Sequence, residues 1–317
     1  MRNWLVFAFL SLIWGSSFLW IKLAVQELSP LGVASMRIGL GLFGLLVFMR
    51  VKGIRLPVDR KTWLLYLGTA LLNTALPFPL IAWAEKEISS GMAAVINGTV
   101  PIFTHIIAHF LFHDERLTPK RILGLAFGLG GVIVLSSREL FDPAARSTLP
   151  GVLAMLTAIF IYGCANAYAR KYLKGKPPMI TSTMTLLIAS LLLSPAWLIV
   201  DRPVHLPVQP ITWIALLWLG WLGLSTAYVL YFDLMEHWGP SRLSTIAYVF
   251  PFMGMLLGVI FLHEELTWRL FAGACLIVAG IGIINTSYGK SPDPAPEIPA
   301  RHNRLRRTLL WWRNTPS

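Results

Sequence analysis

The sequence predicts an all-α integral membrane protein with ten transmembrane helices in two inverted five-helix repeats. Of its 317 residues, 56% are hydrophobic and 13% are charged, whereas about 25% of the residues of a soluble domain are charged. Apolar runs of roughly 20 residues, the length that spans a bilayer as a helix, recur along the chain. A motif around Pro101 recurs around Pro251, 150 residues later, which indicates two halves built on one plan.

Ten spans follow from the positions of these apolar runs. They lie at roughly 3–23, 31–50, 62–84, 90–112, 120–137, 150–170, 179–200, 211–235, 241–262 and 267–286. The first run is about twice as long as the apolar core of a signal peptide, and it has bulky residues where a cleavage site needs small ones. It is therefore predicted to remain as a span. The connecting loops are short, which favours antiparallel packing of successive helices.

The basic residues predict the orientation of the spans. Most of the 27 Lys and Arg residues fall on one side of the membrane, and loops rich in these residues face the cytoplasm. Both termini are therefore expected in the cytoplasm. The net charge of +12 is spread over short loops between spans, so it predicts orientation in the lipid bilayer and no nucleic-acid binding. Cys164 and Cys275 lie inside apolar runs and are expected to be small packing residues.

Each copy of the repeated motif consists of an apolar helix, a short acidic hinge and an apolar helix that contains glycine. The hinges carry Asp114-Glu115 and Glu264-Glu265, which we interpret as structural groups of a helical hairpin, with substrate contact as the alternative. A repeat of five spans enters the membrane from the opposite side to its partner. Inverted repeats hold a substrate site near the midplane, so the sequence predicts a carrier of a small-molecule solute that works by alternating access.

The repeat pattern divides the chain into four parts. Residues 1–137 form the first repeat, 138–149 a periplasmic connector, 150–287 the second repeat and 288–317 a cytoplasmic tail. The tail is Pro-rich and then basic and aromatic, and two hypotheses remain open for it: a short interfacial helix that contacts anionic lipid, and a disordered tail that only assists the topology. Motifs of hydrolase nucleophiles and zinc proteases are absent from the sequence, so neither an enzyme nor a cofactor is predicted.

Several short motifs, taken in order along the two halves, resemble a known family. They are Trp14-Gly15-Ser16-Ser17-Phe18, Ser29-Pro30 before Arg37, Pro101 before Glu115-Arg116-Leu117-Thr118, and Pro251 before Glu265-Leu266-Thr267. These motifs are similar to the paired EamA-type repeats of the drug/metabolite transporter superfamily, over about residues 4–287. The resemblance implies a ten-helix carrier of the bacterial inner membrane, commonly an exporter of amino acids and other small metabolites. Where that family usually has glycine before the hinge glutamate, this chain has His113-Asp114 and His263-Glu264.

Arg37 lies about seven residues into the second span, roughly 10 Å below the predicted outer boundary at about 1.5 Å per residue. An arginine at such a depth is expected to face a polar cavity or a partner, because its insertion costs about 3 kcal/mol or more. One hypothesis is a contact with an anionic group, such as a substrate carboxylate. The alternative is a structural arginine that caps carbonyl groups or pairs with Glu27. Both hypotheses fit the sequence.

Polar, aromatic and proline residues inside other spans are further candidates for a solute site. Together with Arg37, the candidate substrate-binding residues are Trp14, Ser17, Asn73, Trp83, Asn97, Tyr162, Asn166, Tyr228 and Tyr248. The candidate hinges are Pro77, Pro79, Pro101 and Pro251, because proline leaves a backbone carbonyl free and is tolerated where a cavity or a neighbour satisfies it. These groups suit an amphipathic organic solute, and packing between helices is the alternative role for each position.

His105, His109 and His113 recur every four residues and share one face of the fourth span. This pattern leaves an alternative function open, a divalent-metal or cationic-drug efflux carrier that uses the histidine face. These histidines could equally have a proton-sensitive role or form hydrogen bonds between helices. The sequence shows no third type of ligand at membrane depth, so no resident metal is predicted. Glu85 and Asp233 fall near span ends, which argues against a proton relay of carboxylates at the midplane.

Overall fold

The computed structural model describes residues 2–57, 59–113, 115, 118–142, 148–238, 243 and 245–286. In the first half the helices are α1 (Arg2–Gly15), α2 (Ser17–Ala24), α3 (Pro30–Val51), α4 (Arg60–Ala70), α5 (Pro77–Glu87), α6 (Ser90–Asn97), α7 (Val100–Leu111), α8 (Pro119–Leu135) and α9 (Ser137–Phe141). In the second half they are α10 (Leu149–Tyr172), α11 (Pro178–Val200), α12 (Pro210–Leu217), α13 (Ala227–Trp238), α14 (Ile246–Leu262) and α15 (Trp268–Thr286). The π-helical segments Leu71–Ala75 and Trp218–Thr226 precede α5 and α13.

Local sequence explains where several helices begin. The Ser29 hydroxyl accepts a hydrogen bond from the Gly32 amide at 2.9 Å, directly before α3. The Ser89 hydroxyl accepts one from the Met92 amide at 3.1 Å, directly before α6. These side-chain hydrogen bonds satisfy backbone N–H groups that the first turn of a helix leaves unpaired. Pro30 follows Ser29 and suits the first helical position, because it has no N–H that needs a partner.

Eight helical segments of the described chain are long and apolar enough to cross a membrane. They are Arg2–Ala24, Pro30–Val51, Arg60–Glu87, Ser90–Leu111, Leu149–Tyr172, Pro178–Val200, Pro210–Met235 and Trp268–Asn285. Each coincides with a predicted span. The predicted ninth span corresponds to a shorter apolar helix, Tyr248–Leu262, and the predicted fifth span to the 17-residue α8. The all-helical membrane fold is therefore confirmed, whereas the ten crossings and the cytoplasmic position of both termini stay predictions.

Several spans are interrupted near the prolines that were predicted as hinges. The π-helical segment Leu71–Ala75 directly precedes the turn before Pro77, which begins α5, and Pro79 lies in the same first turn. A short turn separates α6 from α7 just before Pro101. Pro251, in contrast, lies inside α14, and the helix continues through it. Interruptions of this kind occur often at functional positions, and the hinge role of these prolines stays a prediction.

The two halves of the chain pack closely where α8 crosses α15. A Cβ added at Gly280 would lie 2.5 Å from the carbonyl oxygen of Gly124 and 2.7 Å from the amide nitrogen of Gly128. Further along, a Cβ added at Gly273 would lie 2.9 Å from the carbonyl oxygen of Gly131. The order of these contacts makes the two helices antiparallel. Their backbones approach so closely because none of these positions carries a side chain.

Other helix pairs also join the first half to the second. α6 packs against α14, α5 and α7 pack against α10, and α3 packs against the π-helical segment Trp218–Thr226. The main buried core accordingly contains side chains from both halves, including Ile96, Ile102, Met155 and Ile277. The tail from residue 287 onwards and Asp114 lie outside the described residues, so the lipid-contact hypothesis for the tail stays a prediction.

Candidate functional site

Arg37 of α3 is buried inside the helical bundle. Only 8% of the residue is exposed, and its guanidinium carbon lies 4.1 Å from the centre of the Phe78 ring of α5, a cation–π contact. Glu27, the partner expected under the structural hypothesis, instead accepts hydrogen bonds from the Val208 amide and the Thr212 hydroxyl. Among the described residues no carboxylate pairs with the guanidinium, and its Nε has no hydrogen-bond partner.

Groups from both halves of the chain surround Arg37. Tyr162 of α10, Tyr228 of α13 and Glu85 of α5 lie within electrostatic range of the guanidinium. The α3 backbone itself touches the second half, because a Cβ added at Gly220 would lie 2.6 Å from the carbonyl oxygen of Arg37. Three residues that the sequence predicts for the site are therefore brought together here from three different helices.

A cavity of about 160 Å³ opens beside Tyr228. Its wall consists of Thr69, Asn73, Ala165, Asn166, Ala169, Leu173, Thr181, Ser182, Thr185 and Tyr228. The wall is uncharged and combines polar groups with a larger apolar surface, and the buried hydroxyls of Thr69 and Thr185 have no hydrogen-bond partner within the described part of the chain. Sites for drug-sized ligands measure roughly 300–1,000 Å³, so this cavity suits a smaller solute. It contains the predicted residues Asn73 and Asn166.

The remaining predicted residues Trp14, Ser17, Trp83, Asn97 and Tyr248 do not line this cavity. The Trp14 indole donates a hydrogen bond to the Gly223 carbonyl at 2.9 Å, which ties α1 to the π-helical segment of the second half. The Ser17 hydroxyl donates to the carbonyl of Ile13, one turn earlier. Trp83 is 39% exposed on the surface of the bundle. The contacts of Trp14 and Ser17 are those of packing residues, and a binding role for this group stays a prediction.

Glu85 is a buried charged residue that the sequence pattern did not indicate as part of the site. It lies in the last turn of α5, yet it is 0% exposed, and neither carboxyl oxygen has a hydrogen-bond partner among the described residues. Lys22 of α2 donates instead to the backbone carbonyls of Glu85 and Ile88, at 2.5 and 2.9 Å. Helical spacing was the available signal, because Phe78, Ala82 and Glu85 recur at i, i+4 and i+7 and share one buried face.

Comparison with known proteins agrees with this architecture. The model of the EamA-like transporter family matches residues 2–137 and residues 149–286. The chain belongs to the EamA-like transporter family. It is therefore a multi-pass transporter of the bacterial inner membrane and not an enzyme.

Relatives match this EamA-like chain along most of its length. The Bacillus subtilis protein named uncharacterized transporter YoaV is 24% identical over 272 residues, which cover 86% of this chain and 92% of the relative. Salmonella typhimurium and Escherichia coli each have a relative named probable amino-acid metabolite efflux pump. These two are 26% and 25% identical to this chain, and each match covers 86% of this chain and 90% of the relative. A solved crystal structure that is 20% identical has a TM-score of 0.64 and covers 92% of this chain and 99% of its own, which supports the fold.

At one end of the EamA-like bundle, the carboxylates of Glu27 and Glu264 join the halves by accepting hydrogen bonds at the starts of helices, and we call these contacts the cap. Glu27 of the first half accepts hydrogen bonds from the Val208 amide at 2.5 Å and from the Thr212 hydroxyl at 2.6 Å, at the start of α12. Glu264 of the second half accepts one from the Ser90 amide at 2.7 Å, at the start of α6. Each carboxylate therefore meets the positive end of a helix that belongs to the other half.

The carboxylates at the two ends of the bundle have different partners. In the cap, the hydrogen bond from the Thr212 hydroxyl, followed by that from the Val208 amide, holds the pKa of Glu27 below its ordinary value of 4.5. At the opposite end, Glu115 pairs with Arg170 at 2.7 Å and with Arg121 at 2.9 Å. The Glu115 and Glu264 contacts are those of structural groups, and both reach from one half of the chain to the other.

The histidine face of α7 makes backbone contacts. His105 Nδ1 lies 2.6 Å from the carbonyl oxygen of Pro101, and His109 Nδ1 lies 2.9 Å from the carbonyl oxygen of Glu115. In the part of the chain that the structure describes, no three potential metal ligands cluster together. The geometry therefore adds no support to the alternative of a metal carrier.

Proposed function

We propose that this EamA-like transporter exports a small organic solute that carries a carboxylate, such as an amino acid or a related metabolite, by alternating access. The observation that carries the proposal is Arg37, a buried cation without an anionic partner among the described residues, at the interface of the two halves. The two relatives named probable amino-acid metabolite efflux pump support the same class of solute.

The chemistry of Arg37 favours a carboxylate over other groups. A guanidinium offers five N–H donors in a plane, and two of them match the two oxygens of a carboxylate. The Phe78 ring covers one face of the guanidinium and leaves its edge for an anion. A buried cation that lacks a counter-ion is costly, so a carboxylate that reaches Arg37 is stabilised more strongly there than at an exposed arginine.

The cavity beside Tyr228 supports the proposed size and polarity of the solute. Its volume of about 160 Å³ fits a small metabolite better than a drug-sized molecule. The amides of Asn73 and Asn166 and the hydroxyls of Thr69 and Thr185, which no described residue pairs, offer donors and acceptors without net charge. Such a wall suits the polar part of a zwitterion, while Tyr228 is shared between the cavity and the surroundings of the buried guanidinium.

The conformation supports the loading step of an exporter. The cap joins the halves at one end through two carboxylates, and the Glu115–Arg170 ion pair joins them at the other end. The cavity beside Tyr228 extends towards that second end, as far as Leu173, just beyond the last turn of α10. With both termini in the cytoplasm, as the basic residues predict, the cap is periplasmic and the cavity faces the cytoplasm. Opening of the cap and closure of the cavity mouth would then release the solute outside.

Exchange transport in proteoliposomes tests this proposal. Labelled alanine, threonine and glutamate serve as zwitterionic and anionic probes, against the same unlabelled compounds inside. We expect the wild-type protein to exchange at least one probe and Arg37→Gln to raise the apparent KM about 10- to 150-fold. This range corresponds to the loss of one hydrogen bond to a charged group, ~1.5–3 kcal/mol. Arg37→Lys keeps the charge without the planar donor set and should lose less.

The matched control is Arg50→Gln, which removes an exposed arginine near the end of the same helix. This variant should exchange the probes like the wild-type protein. An unchanged KM in both Arg37→Gln and Arg37→Lys would give Arg37 a structural role and remove the carboxylate assignment. Transport of a cationic drug without any of the carboxylate probes would keep the carrier but contradict the solute class.

A further inference from the structure

The carboxyl group of Glu85 has an environment that suits its protonated form. It is 0% exposed, and no described group donates a hydrogen bond to either of its oxygens. An ionised carboxylate in such a place is strongly destabilised, because it has left water without gaining a donor or a bound cation. A neutral carboxylic acid is far less costly to bury. The conformation described here therefore favours a proton on Glu85.

The charged groups that face Glu85 do not replace this proton. They are Lys22 of α2, Arg37 of α3 and Glu264 of the segment between α14 and α15. The Lys22 ammonium binds two backbone carbonyls, and Arg37 lies against Phe78, two turns away along α5. Glu264 has the same sign as an ionised Glu85 and opposes it. α10 adds only the neutral phenol of Tyr162, which faces the Arg37 guanidinium.

Glu85 is also placed beside the cap. Ser90 and Gly91, whose amides donate to Glu264 at 2.7 and 3.0 Å, follow it by five and six residues. Lys22 holds the same short connection through the Ile88 carbonyl. Glu264 also lies within electrostatic range of Glu85, so separation of Glu264 from the start of α6 would change the surroundings of Glu85. The buried carboxyl and one side of the cap therefore belong to one short segment of the chain.

We propose that Glu85 is a proton-binding residue that makes closure of the cap dependent on pH. Closure of the cap over the carboxyl requires a bound proton, and opening of the cap lets water reach the carboxyl, so that the proton exchanges with the periplasmic side. Proton binding and cap closure are then linked, since each favours the other by the same factor. An effect of this linkage on solute movement rests on the proposed function, whereas the linkage between Glu85 and the cap does not.

Hydrogen–deuterium exchange of the full-length protein in lipid nanodiscs tests the linkage without any solute. The reporter is the peptide that contains Ser90 and Gly91, followed between about pH 5 and pH 9 and corrected for the intrinsic exchange rate. We expect deuterium uptake of this peptide to rise with pH in the wild-type protein, because ionisation of Glu85 opens the cap. Glu85→Gln, an isostere of the neutral acid, should keep the peptide protected over the whole range.

Glu87→Gln is the matched control, because Glu87 is an exposed carboxylate two residues further along the same helix. It should show the pH dependence of the wild-type protein. An equal rise with pH in Glu85→Gln, or no rise in the wild-type protein, overturns the proposal. If Glu85→Gln does not purify in a folded form, Glu85→Asp takes its place. The proposal is then overturned if the pH midpoint of deuterium uptake by the Ser90–Gly91 peptide equals that of the wild-type protein.

Transport of labelled alanine, threonine and glutamate separates this proposal from the proposed function. Glu85→Gln should remove the pH dependence of probe exchange that the wild-type protein shows. An equal pH dependence of exchange in Glu85→Gln and in the wild-type protein overturns the link between Glu85 and the cap. If the wild-type protein exchanges none of the probes, the proposed solute class fails, and the deuterium exchange result still decides the role of Glu85 in the cap.

Discussion

Replacement of Gly280 by alanine tests the backbone contact between the two halves where α8 crosses α15. The added Cβ would lie 2.5 Å from the Gly124 carbonyl oxygen, 2.7 Å from the Gly128 amide nitrogen and 3.1 Å from the Gly128 Cα. Normal contacts of such atoms are about 3.5 Å, so the new methyl group would be about 1 Å too close. All three neighbours are backbone atoms. No side-chain rotation relieves the clash, and α8 and α15 must move apart.

Two opposing effects determine the size of the change. Overpacking of a tight interior costs about 1–3 kcal/mol, whereas alanine stabilises a helix by about 1 kcal/mol relative to glycine. Gly282→Ala separates the two effects, because Gly282 lies on the same helix and a Cβ there would have no neighbour within 4 Å. The gain in helix propensity is common to both variants. Their difference in unfolding free energy should therefore equal the overpacking cost, ~1–3 kcal/mol.

Denaturant-induced unfolding in detergent micelles measures this difference. We expect Gly282→Ala to be as stable as the wild-type protein or slightly more stable, and Gly280→Ala to unfold with an equilibrium constant roughly 5- to 150-fold larger than that of Gly282→Ala. Equal stability of the two variants would show that α8 and α15 do not touch through their backbones. The close crossing of the halves would then be refuted.

Two further predictions concern the cap and the histidine face. The lowered pKa of Glu27 means that its contacts are fully present above its ordinary value of 4.5 and are lost as the pH falls through the lower value in the folded protein. Deuterium exchange at the Val208 amide should therefore rise on acidification. The variant Thr212→Val should shift that rise to higher pH. An unshifted rise would show that the Thr212 hydroxyl does not hold the Glu27 carboxylate. Zinc added to the purified protein should leave the melting temperature unchanged, because His105 and His109 already contact backbone carbonyls. A zinc-dependent rise that is lost in the double variant His105→Ala, His109→Ala would instead favour the metal carrier.

Hydropathy and capping residues predicted the spans well. The predicted spans 31–50 and 179–200 correspond to Pro30–Val51 and Pro178–Val200. A long apolar segment in lipid must satisfy its own backbone hydrogen bonds, which leaves a helix as its main solution. Ser29 and Pro30 mark the start of α3 by local chemistry alone. Both signals lie within the segment itself, so the rest of the fold was not needed to find them.

The partners of buried charges were harder to predict. Glu27 was considered as a partner of Arg37, but it binds the start of α12. Glu85 was placed near a span end, where water was expected, yet it is completely buried. The π-helical segment Trp218–Thr226 was predicted as ordinary helix, because its apolar composition has no local signal for a wider turn. In each case the outcome depends on a helix that is distant in the sequence.

The sequence by itself determined which segments enter the bilayer, that the chain contains two related halves, and that Arg37 is a charge at membrane depth. These properties follow from composition, periodicity and the cost of placing polar groups in lipid. Only the tertiary structure decided that Arg37 lies against Phe78 without an ion pair to any described residue, that Glu85 is enclosed beside the cap, and that Asn73 and Asn166 share a cavity. The physical reason is that the energy of a buried polar group depends on its neighbours in space, and these come from helices far apart in the chain.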